Sequence, residues 1–351
     1  MENKLIKKED TLYEFLKKET RPIIIYGMGN GADKILDICE RKSIKISGIF
    51  ASDEFVRGHS FRGYKVKTYA EINREYPDAV IFLAFAVFKD DLMQKIETIA
   101  LEHTLLVPDV PLFGKGLFDF EFVTVNIDNI KRAYDLFADK KSRSVYLDVI
   151  NFRLSGDPKI LRRCETDRTE LFENILKLGI SEDYLDLGAY DGDTIAEFLN
   201  FTNGNYSSVT AFEPDKKNMK KLTKQFGGLE RCTLYPYASW EKDCTMNFSG
   251  TGGRMSCFDE NGTQTDAKAV DSLNRKFTYI KMDVEGAEYE TLSGMRNTIA
   301  KYKPKLAVSA YHRVGDIFTL PLYISQLNPD YKIYIRHHKY LPSWETNIYA
   351  V

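Results

Sequence analysis

The chain has 351 residues, 43% of them hydrophobic and 28% charged, with a formal net charge of −2; this is the make-up of an ordinary globular protein with apolar material for more than one core. So near-neutral a balance gives no bulk attraction to phosphate backbones or anionic lipid, and nucleic acid is set aside as a partner. Five cysteines scattered without a C-x-x-C pair argue against a zinc site and a disulfide framework, and the charged N-terminus and lack of any bilayer-length apolar run point to a cytoplasmic protein without membrane insertion.

An amphipathic opening helix is followed by the short apolar run 22–26, which reads as a buried parallel strand. Gly27-Met28-Gly29-Asn30-Gly31-Ala32 comes next and leads into a helical stretch. A second strand at 44–50 ends near Asp53 and a third lies at 79–86, so residues 1–110 are expected to form a small Rossmann-like domain. Gly27, Gly29 and Asn30 in the turn, with Asp53 as the acid near the end of the next strand, satisfy a dinucleotide-type fingerprint. Residues 111–165 read as a helical connector, with Phe137, Val145, Ile150 and Leu154 among its core contacts.

A second alternating series fills 166–351. Its strands are expected at 184–187, 209–212, 233–237, 279–282 and 306–310, and the closing pair 331–336 and 346–351 lies too close for a crossover helix and must run antiparallel. The fold class is therefore α/β, with two Rossmann-like domains and a mostly parallel second sheet ending in an antiparallel hairpin. Three motifs sit at strand ends in this series. Asp186-Leu-Gly188-Ala189-Tyr190-Asp191-Gly192-Asp193-Thr194 follows the first strand, Glu213-Pro214-Asp215 ends the second, and Asp283-Val-Glu285-Gly286-Ala-Glu288 ends the fourth. Glycine at the first turn lets a ligand lie against bare backbone, and an acid at the second tip suits the two hydroxyls of a ribose.

In these ordered motifs the chain resembles the FkbM-type methyltransferase family over about residues 130–351. The resemblance extends to Ser142-Arg143-Ser144 upstream and to the stretch 303–312 and Tyr334-Ile-Arg336-His337-His338 downstream. It implies a seven-stranded class I methyltransferase sheet, S-adenosylmethionine as methyl donor, and transfer to an oxygen of a small-molecule or glycan acceptor. On that reading Asp186, Gly188, Ala189, Tyr190, Gly192 and Thr194 form the donor loop, Glu213 and Pro214 the ribose site, and Asp283 lies near the sulfonium or the acceptor hydroxyl. Asp191 departs from the family, where that position more often is apolar. The first domain looks like the nucleotide-sugar-binding or CoA-binding-like units beside bacterial sugar-modifying enzymes. Its bland alternative is a unit that only packs or forms a homodimer.

Methyl transfer to a hydroxyl needs alignment and the loss of a proton. His312, at the end of the 306–310 strand, and Asp283 are the two candidates for taking it. A histidine there also serves simply to tie a loop to the sheet, and Glu285 and Glu288 suit the first turn of a helix through its dipole. Asp283, Glu285 or Glu288 with His312 match magnesium in ligand type, but no metal is assigned. Phe212, Tyr237 and Trp240 are candidates for stacking on adenine or for the core, His337 and His338 sit at a strand end whose alternation sends one to the acceptor pocket and the other to solvent unless both are plain residues of the sheet rim, and the glycine-rich loop 249–254 is expected over the acceptor or as a simple hairpin turn. The rival functions are a nucleotide-dependent oxidoreductase built on the first glycine turn and a non-enzymatic ligand-binding protein.

Overall fold

The apolar run after Pro22 forms β1 (Ile23–Tyr26), buried along its whole length. In the computed structural model, which describes residues 1–114, 116–249, 257–258 and 263–351, β1 pairs in parallel with β2 (Gly48–Phe50) and takes part in a six-stranded sheet. The other members are β3 (Ser60–Phe61), β4 (Tyr64–Lys67), β5 (Val80–Leu83) and β6 (Thr104–Leu106), and the order is β3-β4-β2-β1-β5-β6. All neighbours are parallel except β3 against β4. The helix Asn30–Arg41 lays Ala32, Ile35, Leu36 and Cys39 into the core with Ile23, Ile25, Val80 and Phe82.

The second series begins with β7 (Asp183–Leu187), β8 (Ser208–Phe212) and β9 (Cys232–Tyr235). A small sheet then follows, of β10 (Ala238–Ser239), β11 (Cys244–Ser249), β12 (Cys257–Phe258) and β13 (Thr263–Lys268), in the order β10-β13-β11-β12. The sequence reading has no strands between 238 and 268; the polar stretch Thr263–Lys268 shows no apolar alternation by which to find one. Residues 250–254 of the expected acceptor loop lie outside the described residues.

The main sheet resumes with β14 (Tyr279–Met282), β15 (Lys305–Ser309), β16 (Ile333–His337) and β17 (Thr346–Ala350), giving the order β16-β17-β15-β14-β7-β8-β9. From β14 through β9 the strands are parallel, whereas β17 runs antiparallel to β15. Lys332 and Val351 exchange N–H···O bonds of 2.9 and 3.1 Å, the mark of the antiparallel closing pair. The expected seven-stranded α/β sheet is thus present. Because the chain leaves β7 to one side for β8 and later returns to its other side for β14, the carboxyl ends of β7 and β14 flank a topological switch point, where open α/β sheets bind ligands. Beneath it Tyr184 stacks between Phe198 and Tyr279, with ring centroids 4.4 and 5.0 Å away.

Two compact units result. One comprises residues 1–128, 144–165 and 337–345; the other comprises 129–143, 166–336 and 346–351. No helix among the described residues is long and apolar enough to cross a membrane.

Candidate active site

The loop after β7 is held in shape by its own strand. Asp186 is fully buried, and its Oδ2 accepts the Thr194 hydroxyl at 2.5 Å. Lys281 on β14 places its Nζ 3.3 Å from Asp186 Oδ1 and donates to the Gly188 carbonyl at 2.9 Å. Burial pushes the Asp186 carboxyl up; it also opposes the charge of Lys281, but Asp186 and Asp283 outweigh it and raise the amine. Asp186 therefore acts through the loop, as an anchor. Gly188 has φ +77°, and a Cβ there would stand 1.9 Å from the Asp283 carbonyl, so only glycine permits this crossing. Gly192, at φ +96°, precedes the helix Asp193–Phe201 and lies against the Phe226 ring. Ala189 is buried, and Tyr190, between them, is half-buried with φ +49°.

Glu213, just beyond β8, is 5% exposed. Its Oε2 accepts the Tyr190 N–H and its Oε1 the Asp215 N–H, both at 2.8 Å. The Asn218 side chain also bonds this carboxyl, which keeps acceptor capacity for a further donor. Burial pushes this carboxyl up to about 7 despite the two amides. Half-buried Pro214 leads to Asp215, which caps the helix Lys216–Phe226 by accepting the Lys217 and Asn218 N–H groups.

After β14 the chain turns sharply, with Glu285 at φ +54° and Gly286 at +94°. Asp283 is half-buried and accepts the Tyr311 hydroxyl at 3.1 and 3.3 Å. His312, 2% exposed, brings Nε2 within 3.4 Å of Asp283 Oδ1 and 3.3 Å of Glu285 Oε2, and Nδ1 within 2.9 Å of Glu288 Oε1. Glu288, 1% exposed, also accepts the Val284 and Gly286 N–H groups through Oε1. Burial works against a charged imidazole here, yet the carboxylates of Glu288, Glu285 and Asp283 outweigh it and hold His312 well above its usual value. Burial likewise raises Asp283, but His312 and Lys281 bring it below the ordinary carboxylate range. Glu285 is raised by burial, and buried Asp316 is pushed up to about 7 by burial and by Glu288.

Chemically, the loops after β7, β8 and β14 converge on one edge. They supply a bare backbone turn, a buried carboxylate with spare lone pairs and a half-open ionised aspartate. Sequence reasoning leaves out Lys281 and Tyr311. The only signal for Lys281 is a lysine inside an otherwise apolar strand, and Tyr311 shows none. Phe212 is wholly buried, edge-on to Tyr235 and Tyr237 at 5.7 Å, which makes it core; Tyr237 and Trp240 are half-buried. His337 and His338 are both buried rather than divided between pocket and solvent, and burial pushes the His337 ring down to about 4.

In the first unit the glycines divide their work. A Cβ on Gly27 would meet the Phe85 ring at 2.7 Å and one on Gly31 the Ala84 carbonyl at 2.1 Å, whereas Gly29, which precedes the helix Asn30–Arg41, faces open space. Asn30 and Asp53 are exposed, beyond the ends of the neighbouring strands β1 and β2. Gly31, absent from the expected fingerprint residues, is what lets the helix approach the chain after β5.

Residues 19–105 match the family model described as C2185-like, N-terminal. The crystal structure of methyltransferase FkbM from Methylobacillus flagellatus KT is similar in fold along 97% of this chain and 92% of that one, at 22% identity and a TM-score of 0.75. Fibrillarin from Aeropyrum pernix, in complex with S-adenosyl-L-methionine, is 11% identical over 52% of this chain and 72% of that one; its TM-score of 0.33 is too low to carry an argument. No curated protein matches. Residues 186–341, from the buried aspartate of β7 to the hairpin before β17, match the family model of the methyltransferase FkbM domain.

Proposed function

We propose that the second unit binds S-adenosylmethionine and methylates an oxygen of a small-molecule or glycan acceptor. The observation that carries this reading is the meeting of three loops: Gly188 pressed on the Asp283 backbone and Tyr190 bonded to Glu213. The residues fit a nucleoside-containing donor, since Glu213 is fixed by two amides and the Asn218 side chain and still has acceptor capacity for a ribose hydroxyl. When bound, the donor supplies a sulfonium methyl with a good leaving group, so alignment rather than bond polarisation is the chain's main task.

Asp283 is the group that faces the acceptor. It is 26% exposed at its side chain, stays ionised, and is steadied by Tyr311. It accepts the hydroxyl proton as the acceptor oxygen bonds to carbon. His312, with both ring nitrogens against carboxylates and only 2% exposed, stands behind Asp283 and holds the turn after β14; it is a positioning residue. In the first unit, the open face at Gly29 and Asn30, with Asp53 beyond the end of the next strand, suits a nucleotide-linked sugar or a comparable carrier.

Calorimetry of the full chain with S-adenosylmethionine, S-adenosylhomocysteine, NAD and nucleotide sugars tests the reading. Micromolar binding of the methyl donor, weakened at least tenfold in Glu213→Ala, is expected. Failure of the wild-type chain to bind either sulfur compound overturns it.

A further inference from the structure

We propose that Asp283, Glu288 and His312 form a binding site for one divalent cation of the magnesium or manganese type, beside the methyl-transfer edge of the second unit. Its catalytic use rests on the function proposed above; its existence does not.

The three side chains each offer a ligand atom, and these atoms lie within 4.8 Å of one another. Ligands at right angles around a small divalent ion, each about 2.1 Å from it, stand roughly 3 Å apart, and opposite ones about 4 Å. His312 Nδ1 and Glu288 Oε1 are 2.9 Å apart. Yet Nδ1 has no hydrogen-bond partner, and neither has Glu288 Oε2, although both atoms are buried. An imidazole nitrogen 2.9 Å from a carboxylate oxygen has the spacing of two neighbours in one coordination shell. Buried polar atoms without partners are costly, and a shared cation would satisfy both at once.

The local charge leans the same way. Asp283, Glu285, Glu288 and Asp316 gather around a single imidazole. The nearby cations are shared: Lys281, which lowers Asp283, also bonds Asp186 and Gly188, and Arg313, which lowers Asp316, also bonds Glu290 at 3.1 and 3.3 Å. Two carboxylates and one imidazole make an oxygen-rich donor set that suits a hard cation and leaves other positions for water or substrate. Glu285, 3.3 Å from His312 Nε2, orients the ring from its far side, as carboxylates do for metal-bound histidines. Asp283 is the open edge of the trio. A cation there would hold the acceptor hydroxyl and raise its acidity; the proton passes to the Asp283 oxygen turned away from the cation, and the methyl transfer is otherwise as described above.

The test uses the full chain stripped with EDTA and titrated with Mn2+ alone, free Mn2+ being followed by its electron paramagnetic resonance signal. One saturable site per chain is expected, with affinity at least tenfold lower in both Glu288→Gln and Asp283→Asn. No saturable site, or a site of unchanged affinity in Asp283→Asn, overturns the proposal and leaves His312 as an imidazolium wedged among acids. Should Glu288→Gln fail to fold by circular dichroism, half-exposed Asp283→Asn decides alone. Calorimetry of the stripped chain with S-adenosylhomocysteine separates the two readings. Donor binding without a Mn2+ site ends the cation proposal and leaves methyl transfer standing; a Mn2+ site without donor binding does the reverse.

Discussion

The Tyr190 amide donates to Glu213 Oε2 across 2.8 Å, so the turn after β7 and the acid beyond β8 form one rigid corner. A left-handed residue, Tyr190 at φ +49°, aims that amide. The corner is set before any ligand arrives, which limits the ordering cost of binding.

Donor affinity should follow the charge of Glu213. Its carboxyl is pushed up to about 7 by burial, so the ionised form that accepts ribose hydroxyls fills in as pH rises through neutrality. Affinity for S-adenosylhomocysteine should climb from pH 6 to pH 8, by at most about tenfold per unit below the pKa. It should be low and flat in Glu213→Gln. The same raised pKa costs stability as pH rises from about 4.5 to 7 and no further above that. Urea melts of wild type against Glu213→Gln should therefore diverge across that window, with wild type losing ground.

Gly188→Ala should damage fold and site together. The new Cβ would lie 1.9 Å from the Asp283 carbonyl in a left-handed backbone, a conformation that alone costs roughly 1–3 kcal/mol. Thermal denaturation should show a lower melting temperature, and calorimetry a loss of donor binding. A variant with wild-type stability and affinity would refute the close crossing of these loops.

Removing the imidazole should hurt more than removing its partner as well. In chelated protein, His312→Gln leaves Glu288 and its neighbours buried without their shared cation, a loss of roughly 3–5 kcal/mol for a broken buried pair. The double variant with Glu288→Gln should recover part of it. Chemical denaturation of the four-member cycle measures the coupling; additive losses would contradict the contact.

In the first unit, Gly31→Ala and Gly29→Ala should part company. The former drives a methyl group to 2.1 Å from the Ala84 carbonyl and should destabilise the chain, while the latter faces open space and should leave the unfolding free energy within about 0.5 kcal/mol of wild type. Any effect of Gly29→Ala on nucleotide-sugar binding would then report on ligand contact alone.

Much of this was legible because parallel strands buried on both faces write themselves as short apolar runs. The runs at 184–187, 209–212 and 279–282 fall on β7, β8 and β14, and the acids after the last two fall where the chain emerges from the sheet. Glu213 and Asp283 could be placed for that reason. The small sheet from β10 to β13 could not, since a strand such as Thr263–Lys268 has no apolar rhythm. The sequence does group Asp283, Glu285 or Glu288 with His312 as magnesium-type ligands, but not which ring nitrogen each acid meets, since those three lie more than twenty residues from it in the chain. The return of residues 337–345 to the first unit is equally silent, since it is decided by tertiary packing.

That return has a consequence for taking the protein apart. Backbone passes from one unit to the other after residues 128, 143, 165, 336 and 345, so neither unit is a single stretch of chain and no one cut frees either intact. A fragment beginning at Thr166 would lack Asp139 and Ser142, whose side chains lie 2.6 and 2.7 Å from the buried Arg336 guanidinium. It would strand that charge in the interior, beside the hairpin that closes the seven-stranded sheet. Dissection by truncation would thus report on a wounded core, and the two halves are better separated by point substitution than by scissors.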